Sequence, residues 1–132
     1  MTQNQKTFLK LGLWAIIIHV ILIALTILEV FIYSTFINSG QDKSVYEQHA
    51  QNTAPYIAII GGFGLIYLIA IQLKGKIKSS ERLICLGLPI GYILLDVLLL
   101  IVSRTDLRNN FTIFLISYLT KLLAGYLAMK RV

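Results

Sequence analysis

The 132-residue chain is poor in charge. Asp, Glu, Lys and Arg together make up 14% of it, against 57% hydrophobic residues. A soluble domain carries about 25% charged residues. This chain has too little polar surface to coat a core in water, which excludes an ordinary soluble domain and points to a membrane protein. Cysteine is nearly absent: the single Cys85 excludes an intramolecular disulfide. Acidic residues are scarce too, six against twelve Lys and Arg, giving a net charge of +6. That excess would suggest nucleic acid in a soluble chain. Here the basic residues sit at the ends of apolar runs and read as topology and lipid-headgroup signals. No nucleic-acid-binding motif accompanies them.

What is present is four long apolar runs, at about 13–37, 54–73, 83–102 and 111–129. Each has the 17–25 residues that cross a ~30 Å hydrocarbon layer as a helix. The runs do not alternate, so barrel strands are excluded. The first run lacks an A-x-A site and contains Glu29, so it reads as a retained helix and not a cleaved signal. The expected fold is all-α: one domain, a four-transmembrane-helix antiparallel bundle. The segments flanking the runs carry eight basic residues on one side (Lys6, Lys10, Lys74, Lys76, Lys78, Arg82, Lys130 and Arg131) and three on the other (Lys43, Arg104 and Arg108). The N-terminus and C-terminus are therefore expected in the cytoplasm, with an inner (cytoplasmic) membrane of a bacterium as the location. The segment 38–53 is expected as an outer loop, with at most a short surface helix, and Pro55 at the start of the second span.

Ionisable residues inside the runs are the candidate site. Such groups cost at least ~2.5–3.5 kcal/mol at a helix centre and face protein or a wet cavity. Counting 1.5 Å per residue from the middle of each run puts Glu29 and Asp96 roughly 5–6 Å outward of the midplane and Lys121 about 2 Å inward, one layer. His19 falls roughly 9 Å to the cytoplasmic side, a different layer by the same count. His49 is expected in solvent. Lys121 is expected to pair with Asp96 or Glu29. The acid left over would hold a proton or bind a cation, or stay hydrogen-bonded to Tyr33 or Tyr92. Arg104 or Arg108 dipping from the outer edge would neutralise it equally. Tyr118, one turn from Lys121, is a further candidate partner.

Glycines mark close packing. The third run contains Gly87, Pro89 and Gly91: a GxxxG pair, and a proline that frees the Cys85 carbonyl and kinks the helix. That carbonyl lines a site or simply packs. Gly61 and Gly62 in the second run allow a close neighbour. His19 and His49 are expected on opposite sides of the membrane and so cannot share a metal in one protomer, and no cofactor or metal motif is present. No catalytic residues are assigned, and an enzyme is the less favoured class. Two functions remain. One is a cation- or proton-linked transporter for a small solute, with an intramembrane carboxylate, acting as a homodimer or larger homo-oligomer. The other is a non-catalytic accessory or assembly subunit of a membrane complex, with the buried charges as a structural ion pair.

Overall fold

The computed structural model describes residues 1–77, 80–104 and 110–131. They form four helices: α1 (Gln3–Ile32), extended by a π-helical turn (Tyr33–Ile37), α2 (Lys43–Lys76), α3 (Glu81–Val102) and α4 (Phe111–Lys130). All four are long and apolar enough to cross a membrane.

Helix α1 starts ten residues before the first apolar run. A capping box begins it: Gln5 N–H donates to Thr2 Oγ1 at 3.3 Å, and Thr2 N–H donates to Gln5 Oε1 at 2.9 Å. The T-x-x-Q spacing satisfies two helix-end donors at once. Thr7 and Leu11 are buried in the resulting first turns. At its other end Asn38 N–H reaches Tyr33 O at 2.8 Å, five residues back, which defines the π turn. Gly40, at φ +78°, then reverses the chain, a conformation open to glycine at no steric cost.

The expected outer loop is largely helix. Residues 43–53 are the first three turns of α2, so Pro55 lies inside that helix, not at its start. A proline there removes one ladder hydrogen bond, the one to the carbonyl of Gln51. Polarity misled the boundary: Lys43–Thr53 is hydrophilic because it stands beyond the apolar layer, yet it contains no helix breaker.

Side-chain contacts fix the directions. Leu22 meets Gly61 while Glu29 meets His49 and Thr53, so α1 and α2 are antiparallel. Asp96 meets Tyr118 and Pro89 meets Gly125, so α3 and α4 are antiparallel. Leu11 meets Gly87 and His19 meets Asp96, so α1 and α3 run parallel. Lys121 meets Ala58, and Ala128 meets Lys74, so α2 and α4 run parallel as well. Consecutive helices are thus antiparallel, but the order around the bundle is α1–α2–α4–α3. Helices α2 and α3, although joined by a short connection, face each other only across the shorter diagonal.

Packing is densest toward the end that holds both termini and the α2–α3 connection. Leu11, Ala15, Ile18 and Leu22 of α1 recur at i, i+4, i+7 and i+11, one face of a helix. They meet Ile66, Ala70 and Leu73 of α2, Ile84 and Leu88 of α3, and the small Ala124 and Ala128 of α4. Lys74 Nζ closes this end by donating to the carbonyls of Ala128 (3.0 Å) and Arg131, the last turn of α4. A cation there satisfies orphan carbonyls and complements the helix dipole. The outward surface is the reverse of a soluble protein's. Leu13, Ile17, Val20, Ile23 and Ile27 of α1 and Leu94, Leu98 and Ile101 of α3 are exposed, whereas Thr7, His19, Ser117 and Lys121 are buried.

Candidate functional site

The ionisable residues fall into three groups, not one layer. The first is centred on Asp96. His19 Nε2 lies 3.4 Å from Asp96 Oδ1, and Tyr118 donates its hydroxyl proton to Asp96 Oδ2 at 2.5 Å. The other ring nitrogen, His19 Nδ1, donates to the Ala15 carbonyl at 2.8 Å. A carbonyl can only accept, so Nδ1 carries a proton and the imidazole is fixed in one tautomer. Nε2 is then the ring nitrogen that faces the carboxylate, the position at which a proton can sit between the two groups. The Tyr92 ring stacks on His19, centroids 3.9 Å apart and planes 14° apart, and holds the imidazole against Asp96.

His19 therefore joins Asp96, although counting from the apolar run placed it in another layer. The count took residue 13 as the start of the helix. With α1 beginning at Gln3 and its π turn ending at Ile37, the midpoint moves to residue 20, next to His19. The T-x-x-Q signature at Thr2–Gln5 was the signal for this.

The second group is Lys121, which makes no ion pair with a described acid. It is fully buried. Its Nζ donates to the Ala58 carbonyl at 3.0 Å and to Ser117 Oγ at 2.5 Å, and lies 4.9 Å from the centroid of the Tyr92 ring. The expected pairing with Asp96 or Glu29 is replaced by a carbonyl, a hydroxyl and an aromatic face. Gly62 makes the space: a Cβ there would stand 2.7 Å from Lys121 Cε and 3.1 Å from Nζ. The missing side chain lets the ammonium cross to α2 and reach a backbone carbonyl instead of an acid. Gly61 serves packing in the same way, against Leu22 of α1.

The third group stands near the end of the bundle away from the termini. Glu29 Oε1 lies 2.7 Å from His49 Nε2, and Thr53 donates to Glu29 Oε2 at 3.1 Å. Tyr33 stacks on His49, centroids 3.6 Å apart, and its hydroxyl accepts from Asn38 Nδ2 at 3.1 Å. The Tyr46 hydroxyl donates to Asn38 O at 2.8 Å. Glu29 and Tyr33 are thus separate from Asp96, and His49 is a partner in place of a solvated loop residue. The reason is the early start of α2, which brings His49 and Thr53, four residues apart, onto the face beside α1.

A cleft of about 740 Å³ opens between α2 and α4 and ends on Asp96 and Tyr92. Gln51, Asn52 and Asn110 supply its amide groups, Tyr56, Ile113 and Phe114 its apolar wall, and Ser117 borders Lys121 behind it. The volume is that of a small-molecule pocket. The Asp96 side chain keeps 23% of its surface exposed. The Tyr92 hydroxyl has no hydrogen-bond partner among the described residues, and no side-chain polar atom that is fully buried lacks one. Tyr92 was expected to bond an acid; it presents its hydroxyl to the cleft. The amide residues were missed because they lie in segments read as loops, although Gln51, Pro55, Ala58 and Gly62 continue one helical face.

Pro89 packs and does not line the cleft. A Cβ on Gly125 would overlap the Cys85 carbonyl and stand 2.9 Å from Pro89 Cγ, so the freed carbonyl is covered by the glycine backbone of α4. The two glycines of the third run differ: a Cβ on Gly87 would meet Leu11 at 2.9 Å, whereas Gly91 faces open space. Arg104 is exposed at the end of α3, and Arg108 and Lys78 lie outside the described residues. Among the described residues no three His, Cys, Asp or Glu side chains converge as metal ligands. Comparison with protein-family models, with curated proteins and with solved structures found no match.

Proposed function

We propose that the chain spans a membrane four times, with both termini in the cytoplasm, and carries a small solute in exchange for a proton at Asp96. The spanning arrangement rests on four helices of sufficient length and on an outer surface of leucine and isoleucine around a polar interior. The orientation rests on the excess of Lys and Arg at the end holding the termini. On that orientation the Asp96 cleft opens away from the cytoplasm, and the dense half of the bundle closes it below. A bacterial inner membrane is the corresponding location.

The observation that carries the reading is a solute-sized cleft ending on a carboxylate that lies 3.4 Å from a histidine nitrogen. An intramembrane acid facing a cavity marks an ion or proton pathway. A cationic solute group entering the cleft would take the carboxylate, and the proton held between Asp96 and His19 would leave. Binding needs only one protomer, because every group named belongs to a single chain. A homo-oligomer would supply the remainder of the pathway, since four helices leave little room for one.

The test is proton release from purified protein in lightly buffered detergent on addition of candidate organic and inorganic cations. Release from the wild type and from Glu29→Gln, with none from Asp96→Asn, is expected. Equal release from the Asp96→Asn variant would refute the assignment.

A second reading, an accessory subunit without transport, draws on the Glu29–His49–Thr53 bridge. That bridge ties the ends of α1 and α2 together, and none of its three residues lines the Asp96 cleft. Copurification from mild detergent with one defined larger membrane protein, together with no proton release by any cation, would favour it.

A further inference from the structure

A groove of about 480 Å³ runs along the outside of α3, on the opposite flank from the Asp96 cleft. Leu83, Leu86, Ile90 and Leu94 form its floor, and Phe8 of α1 its side. These leucines and isoleucine recur at three- and four-residue intervals, one stripe of α3. Gly87 and Gly91 lie along the stripe, and Gly91 has nothing within 4 Å of where its Cβ would be. From Ser80 to Leu94 the groove extends about 21 Å at 1.5 Å per residue. One leaflet of a bilayer core is about 15 Å deep. The groove therefore reaches from headgroup level through a leaflet. Its polar end is formed by Ser80 and Arg82; the neighbouring Glu81 does not line it.

A second apolar groove, about 310 Å³, lies on the other side of Phe8 against Leu9, Gly12 and Ile16. The two grooves share Phe8 and Gly91. A two-chained amphiphile can straddle the phenylalanine ring with one chain in each. The same end of the bundle also holds Lys74 and Lys76 at the end of α2 and Lys130 and Arg131 at the end of α4. Arginine presents a planar fork that matches a phosphate in two-point contact.

We propose that this face binds one anionic phospholipid, with its phosphate on Arg82 and its two acyl chains in the grooves on either side of Phe8. The proposal rests on the chain spanning a bilayer and is independent of the Asp96 assignment. A second copy of the chain, docking through Gly12 and Gly91, is the competing occupant. It leaves the arginine at the end of the groove without a counter-charge, because the copy would present the same basic end.

The experiment is native mass spectrometry of the purified chain in detergent with equal amounts of phosphatidylglycerol and phosphatidylcholine. One phosphatidylglycerol per chain is expected, preferred on the order of fivefold, as one basic contact gives. Arg82→Ala, an exposed change, should reduce that preference to parity. Gly91→Leu, whose Cβ would meet nothing within 4 Å and whose side chain would enter the space lined by Gly91 in both grooves, should abolish retention. Equal retention of the two lipids by the wild type would overturn the proposal. So would undiminished phosphatidylglycerol in Gly91→Leu, or a dimer that Gly91→Leu converts to monomer while lipid retention stays the same. Proton release by cations should be unchanged in both variants, so failure here and failure at Asp96 are separable.

Discussion

Replacing Lys121 by methionine tests the central electrostatic feature of the bundle. Breaking a buried ion pair strands the partner charge and costs about 3–5 kcal/mol. That is the cost expected if Lys121 neutralised Asp96 or Glu29. The structure leads to a different figure, because the partners of Lys121 are neutral. Two hydrogen bonds from a charged donor disappear, each worth about 1.5–3 kcal/mol. Contact with the Tyr92 face is lost as well, up to about 2 kcal/mol for a desolvated cation. Against this, the several-kcal/mol penalty of holding an ammonium away from water also disappears. The Ala58 carbonyl keeps its helical partner, the N–H of Gly62, and the Ser117 hydroxyl, which loses its donor, lines the cleft. Methionine fills the lysine channel with an unbranched chain of similar length. Gains and losses are of the same size, and the net change is expected within about 2 kcal/mol of zero. The assay is equilibrium unfolding in mixed micelles, run as a double-mutant cycle with Asp96→Asn, which removes effects private to each residue. Coupling below about 1 kcal/mol is expected for charges without a shared contact. Coupling of 2 kcal/mol or more, or a loss of 3 kcal/mol in Lys121→Met alone, would refute the reasoning and restore the ion pair.

Three further changes follow from backbone geometry. Gly125→Ala puts a methyl group into the Cys85 carbonyl and against Pro89; a loss of about 1–3 kcal/mol is expected in the same unfolding assay. Gly64→Ala meets nothing within 4 Å and should stabilise by about 0.5–1 kcal/mol, the difference between glycine and alanine inside a helix. Arg104 sits at φ 53° where α3 ends, so Arg104→Gly should stabilise by up to about 1 kcal/mol by relieving a left-handed residue.

The number of the helices and their alternating direction were legible because apolar length is a strong signal and short polar connections reverse the chain. The ends of the helices were harder to read. Thr2 and Gln5 start α1 in polar sequence, and Lys43–Thr53 continues α2 beyond the apolar layer. Hydropathy reports where lipid would begin, whereas a helix continues until a cap or breaker stops it. The early starts of α1 and α2, by ten and eleven residues, decided which side chains meet. They moved His19 to Asp96 and His49 to Glu29, and they turned a presumed loop into one wall of the cleft.

The same displacement explains why the charges could not be assigned from depth alone. Depth ranks residues along the bundle axis but says nothing of the order of helices around it. In the order α1–α2–α4–α3, the histidine on α1 faces Asp96 of α3, and the lysine on α4 faces α2. Glycine at position 62 leaves space for that lysine. Asp96 and Glu29 are each left with a histidine as the partner in place of the lysine. Asp96 differs from Glu29 in one respect that bears on function: it ends a solute-sized cleft, while Glu29 joins two helix ends. Two acid–histidine pairs of similar chemistry therefore differ in the space beside them.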